Sequence, residues 1–467
     1  MMSREAPTSS VIPLTFKQRV IYAGGWNAAG FGVSQVVRLG GSLIMTRLLV
    51  PEMFGIMAIA GMVGTICALL SDVGVSPNIV QSRHGDEPAF LDTAWVVQII
   101  RGMTVWIACL AVSGAFYLAS RNEMFPANSV YASAVLPLVI AVTSFSAVIN
   151  GFRSTKMATA LRNLDQRRLM QVEIIGQCAG LGVMIAVGVI TRSIWALVAG
   201  GLVGPLMTTM LSHSWLPGHG NRFRVDASAL RELLGFGKWI FISSAVYVFA
   251  NNGDRLLLGG YVNAQFLGLY AIASLIVAAV GGAFNRLFAA VWLPALSAVA
   301  RSNPSRLRSA YYRLRVPGDL SLLFASGFLF ACGPLLVSLL YDPRYAEAGS
   351  ILRILALSLF AVRYGVAQQV YLALGMSRYV TVISVAQFFS FYALVPLLYR
   401  AAGVGGAIWA IALHGLATVP FHFFFGTKLR LNDVRRELLV LLAMPTGGAC
   451  GLALNLLLAS HGGRVFP

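Results

Sequence analysis

Thirteen apolar stretches, each about twenty residues long, fill most of this sequence. They lie at about 20–46, 54–75, 93–119, 128–149, 170–190, 194–213, 235–260, 267–298, 316–341, 350–373, 379–399, 404–426 and 437–460. The connections between them are too short to hold a soluble domain. An apolar run of this length matches the thickness of hydrocarbon that a helix must cross. The sequence therefore predicts an all-α integral membrane protein with many transmembrane helices.

The composition supports a membrane environment. Of the 467 residues, 57% are hydrophobic and only 11% are charged, and the mean hydropathy is +0.75. Soluble domains carry about 25% charged residues. A transmembrane β-barrel would need alternating strands of about ten residues, and that pattern is missing from this sequence.

The net charge of +18 reflects membrane topology rather than binding to nucleic acid. If the N-terminus is cytoplasmic, 23 of the 35 Lys and Arg residues fall in cytoplasmic segments, seven in outer segments and five within spans. Positive charge concentrates in the cytoplasmic loops of membrane proteins. We therefore expect a cytoplasmic N-terminus, and no nucleic-acid partner.

Two other features limit what the chain contains. Residues 1–16 are polar and lack the apolar core of a signal peptide, so the first helix is expected to be retained.

The cysteines are scattered singly through the spans, which argues against a disulfide framework or a metal site. They are Cys67, Cys109, Cys178, Cys332 and Cys450. No cofactor is indicated.

The chain contains an internal repeat. "LVPEMFGIMAIAGMV" at 49–63 matches "VNAQFLGLYAIASLI" at 262–276, an alignment that pairs Gly55 with Gly268. Two later matches, "RRLMQVEIIGQ" with "SRYVTVISVAQ" and "SIWALVAGGL" with "AIWAIALHGL", are separated by nearly the same distance along the chain. Three matches in the same order at nearly one offset indicate a duplication.

The repeat predicts two pseudo-symmetric bundles. Six spans fill one repeat, and an even number means that both copies enter the membrane in the same direction. Parallel repeats of this kind are related by an axis along the membrane normal, with the substrate path between the halves. We predict a six-helix lobe at 1–220, a second six-helix lobe at 221–430, and one additional helix with its tail at 431–467.

Charged side chains occur within the predicted spans. They are Arg38, Arg101, Asp254, Arg255, Arg286 and Arg363, with Asp72 near the end of the second span. A charge facing lipid at a helix centre costs about 2.5–3.5 kcal/mol, so these residues are expected to face protein or a wet cavity. Arg38 lies on a polar stripe of the first span with Gln35, and Arg255 lies beside Asn251 and Asn252 on the repeat-equivalent seventh span.

Two interpretations of these charges remain open. Asp254 with Arg255, or Asp72 with Arg38, could neutralise each other and hold helices together. Within the spans, however, five arginines face two aspartates, and the excess positive charge favours an anionic ligand. Arginine binds phosphate oxygens in a bidentate manner and stays charged in a dry cavity. The pattern therefore indicates a cationic central cavity for a phosphate-bearing amphiphile.

The same segments resemble a known family. "TRLLVPEMFGIMAIA", "SDVGVSPNIVQ", "NNGDRLLLGG" with "FLGLYAIA", and "ILRILALSLF…QQVYLALGMSR" are similar to the polysaccharide transporter branch of the multidrug/oligosaccharidyl-lipid/polysaccharide flippase superfamily. The resemblance covers residues from about 18 to 426. It departs from the family at the C-terminus, where one helix follows the second lobe and many members have two.

The resemblance implies a lipid-linked substrate. Members of this branch move undecaprenyl-pyrophosphate-linked oligosaccharide repeat units across the bacterial inner membrane for exopolysaccharide, lipopolysaccharide or capsule synthesis. It implies membrane lipids as surroundings and the polymerisation and export machinery as partners. The Asp254–Arg255 pair occupies the position of the family's Asp-Arg motif.

The predicted mechanism is alternating access by a non-enzymatic transporter. The pyrophosphate is expected to bind Arg38 and Arg255, with Arg101, Arg286 and Arg363 as further candidates, and Asp72 or Asp254 is the candidate ion-coupling residue. Consumption of product outside could replace an ion gradient as the driving force. "GFGKW" at 235–239 lacks the spacing of a phosphate loop, which argues against ATP hydrolysis.

Two other functions compete with this interpretation. A drug/cation antiporter of the same superfamily would share the two-lobe design, but its cavity should favour carboxylates over arginines. A membrane-embedded glycosyltransferase or polymer ligase needs a sizeable outer loop with acidic or histidine catalysts, and the outer loops here are short.

Overall fold

Helices are the only regular secondary structure in the residues that the structure describes. The computed structural model describes residues 16–71, 74–302 and 304–461, and the side chains within them except at 16–21, 23, 236–252, 287–291, 293–295, 304 and 461. These residues form α1 (Phe16–Leu48), α2 (Pro51–Leu70), α3 (Val75–Gln81), α4 (Pro88–Arg121), α5 (Leu136–Thr143), α6 (Ser146–Gly151), α7 (Lys156–Arg162), α8 (Gln166–Thr191), α9 (Trp195–Ser214), α10 (Ala227–Tyr261), α11 (Ala264–Ser302), α12 (Leu307–Leu340), α13 (Ala348–Leu355), α14 (Leu359–Val362), α15 (Gly365–Ala373), α16 (Ser377–Leu413), α17 (Val419–Lys428), α18 (Val434–Leu441) and α19 (Ala443–His461). Short 3₁₀ turns lie at Val130–Ala132, Pro304–Arg306, Pro343–Tyr345, Ala356–Ser358 and His414–Thr418. The predicted all-α membrane class is confirmed.

Each of the thirteen predicted spans overlaps a helical segment. Ten helical stretches of the described chain are long and apolar enough to cross a membrane, and the bent pair Leu136–Gly151 with Lys156–Arg162 makes an eleventh. One of the ten, Ser377–Lys428, is 52 residues long and contains non-helical backbone at Ala402 and Gly403, so it corresponds to two predicted spans. The remaining predicted span, 235–260, lies within α10.

Local sequence signals explain where several helices begin or break. Proline occupies the first turn of α2 and of α4, where its missing N–H would have no partner in any case. The Asp226 carboxylate caps α10 by accepting hydrogen bonds from the backbone N–H groups of Ser228 and Ala229. The α16 break lies at Gly403, whose φ of +62° favours glycine.

Glycines bring α8 and α9 into close contact. Gly176 and Gly180 on α8 face Gly200 and Gly204 on α9, each pair spaced four residues apart. A Cβ added at Gly180 would lie 2.8 Å from the carbonyl oxygen of Gly200. Small residues at this spacing let two membrane helices approach until their backbones touch. The pair forms one wall of the N-terminal bundle, α1–α9.

The two bundles meet through positions that the repeat relates. A Cβ added at Gly55 of α2 would collide with the carbonyl oxygen of Ala264, and one added at Gly268 of α11 would collide with that of Pro51. The alignment that pairs Gly55 with Gly268 also pairs Pro51 with Ala264. Such a reciprocal contact is the signature of a two-fold interface. The contact agrees with the parallel repeat, whereas the boundaries near residues 220 and 430 remain predictions.

We predict that Gly55→Ala lowers thermal stability by an amount equivalent to about 1–3 kcal/mol, the usual cost of overpacking, because the obstructing atoms belong to the backbone. The control is Gly64→Ala on the same helix, where no atom lies within 4 Å of the added Cβ. Thermal unfolding of the purified proteins in one detergent measures both. Equal melting temperatures for the two variants would contradict the close contact between α2 and α11.

The same end of the molecule carries further contacts between the bundles, here called the interlobe clasp. Tyr345 donates a hydrogen bond to the Leu49 carbonyl at 2.9 Å, and the Val130 N–H donates one to the Val262 carbonyl at 3.1 Å. The repeat pairs Leu49 with Val262, so equivalent carbonyl groups accept the two bonds. Arg344 reaches the Arg47 carbonyl at 3.0 Å. The clasp therefore joins the two bundles at one end.

The thirteenth segment packs on the C-terminal bundle, α10–α17. A Cβ added at Gly327 of α12 would collide with the Met444 carbonyl oxygen, and one at Gly451 of α19 would lie 2.9 Å from the Phe328 carbonyl oxygen. Asn455 donates a hydrogen bond to the Ala331 carbonyl at 3.1 Å. The segment that lies outside the repeat is therefore closely joined to α12.

Candidate functional site

A cavity of about 700 Å³ lies against α1, α8 and α9 of the N-terminal bundle. This volume is within the range of ligand pockets. Gly180, Gly200 and Gly204 line it, and their missing side chains leave space beside the polar face of α1. Leu275 of α11 also contributes, so the C-terminal bundle borders the cavity.

The repeat explains why this space is found in the N-terminal half. Gly200 is equivalent to His414 in the match between 193–202 and 407–416. The His414 ring packs edge-on against Phe391, and its Nε2 lies 3.4 Å from Gln387 Nε2. The position that glycine occupies in the first half therefore carries an imidazole ring in the second half.

The predicted stripe on α1 faces the cavity. Arg38 is exposed and lines the cavity together with Ser42, whose hydroxyl lies 3.1 Å from that of Tyr341. One turn earlier, Ser34 donates a hydrogen bond to Gln177 Oε1 at 2.9 Å. Gln35 is half-buried on α1 and is not part of the cavity lining.

Arg153 and Glu173 add charge to the cavity. Arg153 follows α6 and donates a hydrogen bond from Nη2 to Asn150 Oδ1 at 2.7 Å. Glu173 is exposed on α8, one turn before Gln177, and attracts Arg153 without a direct ion pair. Glu173 and Met184, which both line the cavity, are eleven residues apart, so the cavity extends about 16 Å along α8.

Arg255 and Arg286 lie at the boundary between the bundles. Arg255, half-buried on α10, is close enough to Arg38 for the two positive charges to repel each other. Arg286 is exposed on α11, and its guanidinium lies 5.3 Å from the Phe31 ring of α1. Two arginines of the C-terminal bundle therefore lie near α1, the helix that carries Arg38.

Asp254 does not pair with Arg255 in the described chain. Its carboxylate accepts a hydrogen bond from Tyr270 of α11 at 2.6 Å. Adjacent residues on a helix point about 100° apart, so the two side chains have different neighbours. The described contact of the Asp254 carboxylate is therefore with Tyr270 of the neighbouring helix, and the neutralisation of Asp254 by Arg255 stays a prediction.

Arg101 and Arg363 lie outside the cavity. Arg101 donates a hydrogen bond to the Ala68 carbonyl at 2.8 Å, near the C-terminal end of α2, where cations are favourable. Arg363 has a side chain only 1% exposed, and its guanidinium pairs with Asp319 and Glu437. The expectation that Arg363 faces the cavity is therefore wrong, because two acids already neutralise it within the protein.

Three predicted site residues cannot be placed in the same way. Asp72 lies outside the described residues, and the side chains of Asn251 and Asn252 lie outside the described side chains. Among the described residues, no group of three His, Cys, Asp or Glu side chains could hold a metal ion.

Sequence reasoning missed Arg153 and Glu173. Arg153 was counted among the topology signals of a cytoplasmic loop, and Glu173 stands close to the beginning of an apolar span. Gln177 carried a usable signal, because the repeat pairs it with Gln387. The spacing of Glu173 and Gln177, one helical turn, could have placed both on one face.

Comparison with known proteins identifies the family. The model of a family described as "Polysaccharide biosynthesis protein" matches residues 44–341. The chain belongs to this family. The matched region includes Glu173 and Arg153 of the cavity and the reciprocal glycine contact.

Solved structures share the fold at low sequence identity. A structure titled "Lipid II flippase MurJ, inward closed conformation" has a TM-score of 0.60 and 13% identity, covering 94% of this chain and 92% of that one. An inward-facing multidrug resistance MATE family transporter of the MOP superfamily has a TM-score of 0.59 and 15% identity, covering 90% and 96%. No curated protein sequence matches the chain.

These comparisons support the predicted membrane class and the predicted two-bundle fold. The family member is a multi-pass membrane protein with the two-bundle fold of flippases and transporters of the MOP superfamily. By their titles, the two structural neighbours are a flippase and a transporter, and the family is described by its part in polysaccharide biosynthesis.

Proposed function

We propose that this protein moves undecaprenyl-pyrophosphate-linked oligosaccharide repeat units across the bacterial inner membrane for exopolysaccharide, lipopolysaccharide or capsule synthesis. The observation that carries the proposal is a cavity of about 700 Å³ that Arg38 and Arg153 line, with Arg286 of the other bundle 5.3 Å from the Phe31 ring on the helix that carries Arg38. Two like charges held together in a membrane protein favour a ligand that carries more than one negative charge.

The cavity offers separate groups for the two parts of such a substrate. The diphosphate would bind Arg38 and Arg255, with Arg286 at the boundary, through charge-assisted hydrogen bonds. Glu173 and Gln177 line the remaining polar surface and can exchange hydrogen bonds with sugar hydroxyls. The isoprenoid tail would stay in the lipid throughout.

Alternating access follows from the arrangement of the bundles. In the proposed cycle the interlobe clasp holds one end of the central space closed. The excess of Lys and Arg in the predicted cytoplasmic loops supports an outer position for that end and a cytoplasmic N-terminus. Transport would require the clasp to open and the other end to close. Arg344 donates a hydrogen bond to Asp342 in the clasp, which lowers the pKa of that carboxyl below its usual value.

Deleting the gene tests this proposal in the cell. We expect surface polymer to disappear and lipid-linked repeat units to accumulate in the cytoplasmic leaflet, and a plasmid copy should restore both. Partner polymerisation and export proteins would then lack substrate on the outer side. Unchanged polymer with altered drug tolerance would contradict the proposal.

One observation favours the drug/cation antiporter as a second candidate. Glu173 exposes a carboxylate to the cavity, and a cationic substrate or coupling ion would bind such a group. Arg38 and Arg153 line the same cavity and outnumber it. The balance of charge therefore favours an anionic substrate.

A further inference from the structure

A groove on the outer surface of the C-terminal bundle runs between α12 and the α18–α19 segment. Its first part, about 540 Å³, is lined by Tyr312, Arg313 and Arg436 among others. Its second part, about 660 Å³, is lined by Leu320, Phe324 and Leu442 among others. Leu439 lines both parts, so they form one continuous groove. This surface is separate from the cavity that α1, α8 and α9 border.

The first part of the groove carries excess positive charge. Arg313 is exposed and makes no ion pair with any described residue. Asp433 is shared by Arg436, at 3.4 Å, and Arg308, at 3.6 Å. Glu437 points inward to Arg315, so no carboxylate remains for Arg313. The charge at this end therefore suits an anionic group.

The second part of the groove is apolar in effect. Its two hydroxyls donate to carbonyl groups of their own helices, Ser321 to Pro317 and Thr446 to Ala443, both at 2.8 Å. Their hydrogen atoms are therefore already bonded, and Leu320, Phe324 and Leu442 supply the remaining surface. This part can accept a hydrocarbon chain without leaving a polar group unpaired.

The dimensions match one leaflet of a bilayer. Arg313 and Phe324 are eleven residues apart on α12, which places them about 16 Å apart along the helix axis. The hydrocarbon core of a bilayer is about 30 Å thick, so one leaflet contributes about half of that. A ligand with its anionic group at Arg313 and Arg436 would place one chain along the whole groove.

We propose that this groove binds an anionic phospholipid. The phosphate diester contacts the guanidinium groups of Arg313 and Arg436, and one acyl chain lies along Leu439, Leu442 and Phe324. Basic pockets between membrane helices bind anionic headgroups in this way. The lipid belongs to the leaflet that the N-terminal ends of α12 and α18 face.

Occupancy would strengthen the attachment of α18 to α12. Arg436 lies 5.4 Å from the Tyr312 ring, and the Tyr312 hydroxyl donates to Glu437 at 3.1 Å. A phosphate bridging Arg313 and Arg436 therefore holds both helices beside the Glu437 ion pairs. Binding to the folded state raises thermal stability, which gives a direct measurement.

The experiment compares melting temperatures in micelles doped with phosphatidylglycerol or phosphatidylcholine, together with native mass spectrometry of retained lipid. We expect phosphatidylglycerol to raise the wild-type melting temperature, and Arg313→Gln/Arg436→Gln to lose most of that rise and one retained phospholipid. Arg224→Gln/Arg301→Gln is the control, because it removes the same charge from exposed positions outside the groove.

A second variant, at a different part of the groove, distinguishes a loss of lipid binding from a folding defect of the arginine variant. Thr446→Phe fills the apolar part without changing charge, and we expect it to lose the retained phospholipid as well. Equal stabilisation of the wild type and the arginine variant by phosphatidylglycerol would overturn the proposal. So would retention of undecaprenyl phosphate, but not phosphatidylglycerol, at these arginines.

Discussion

Arg38→Ala is expected to lower transport of a pyrophosphate-linked oligosaccharide by about ten- to a hundred-fold, because a hydrogen bond to a charged group contributes about 1.5–3 kcal/mol. Arg38 is exposed to the cavity, and its positive charge is close to that of Arg255. Arg38→Lys should restore part of the activity, since it keeps the charge but loses bidentate geometry.

The matched control is Arg47→Ala. Arg47 is exposed on the same helix, nine residues further on, and does not line the cavity. The contact it makes with Arg344 uses its backbone carbonyl, which the substitution keeps. Initial rates in liposomes that contain equal amounts of inserted protein measure all three variants. If Arg38→Ala transported the substrate at the wild-type rate, Arg38 would not be part of the substrate-binding site.

Glu437→Gln is expected to destabilise the protein by about 3–5 kcal/mol, the usual cost of removing one partner from a buried ion pair. Glu437 bridges Arg315 and Arg363, whose side chains are 2% and 1% exposed. Asp319 alone would then face two buried guanidinium groups, at 2.9 Å from Arg315 and 3.6 Å from Arg363. The substitution keeps the side-chain shape and removes the charge.

Thermal unfolding in one detergent measures this effect, with Glu347→Gln as the control. Glu347 is exposed and forms no ion pair with any described residue. We expect the control to melt as the wild type does. If Glu437→Gln also melted at the wild-type temperature, the buried ion pairs would not hold α18 to the C-terminal bundle.

The fold was predictable because apolar length and repetition are properties of the sequence itself. The alignment that pairs Gly55 with Gly268 in the sequence also relates the two sides of the reciprocal contact between α2 and α11. Chain direction follows from an even number of spans per repeat. The close approach at these glycines was not predictable, because it depends on backbone atoms of the other bundle.

The site was predictable only in part. Hydropathy shows that a charged side chain within a span must avoid lipid. It does not show which protein group the charged side chain contacts instead. Arg38 and Arg363 therefore looked alike in the sequence. Arg363 is neutralised by Glu437, 74 residues further along in a segment predicted to lie outside the repeat. Glu173 was overlooked because one carboxylate near a span terminus also suits a membrane interface.

The central claim is that guanidinium groups from the two bundles recognise a diphosphate headgroup. The most direct measurement compares purified protein in liposomes carrying one fluorescent oligosaccharide on three lipids, linked through a pyrophosphate, a monophosphate or an uncharged ether. We predict fast transfer of the pyrophosphate form, slower transfer of the monophosphate and none of the ether. Equal rates for all three lipids would contradict the claim.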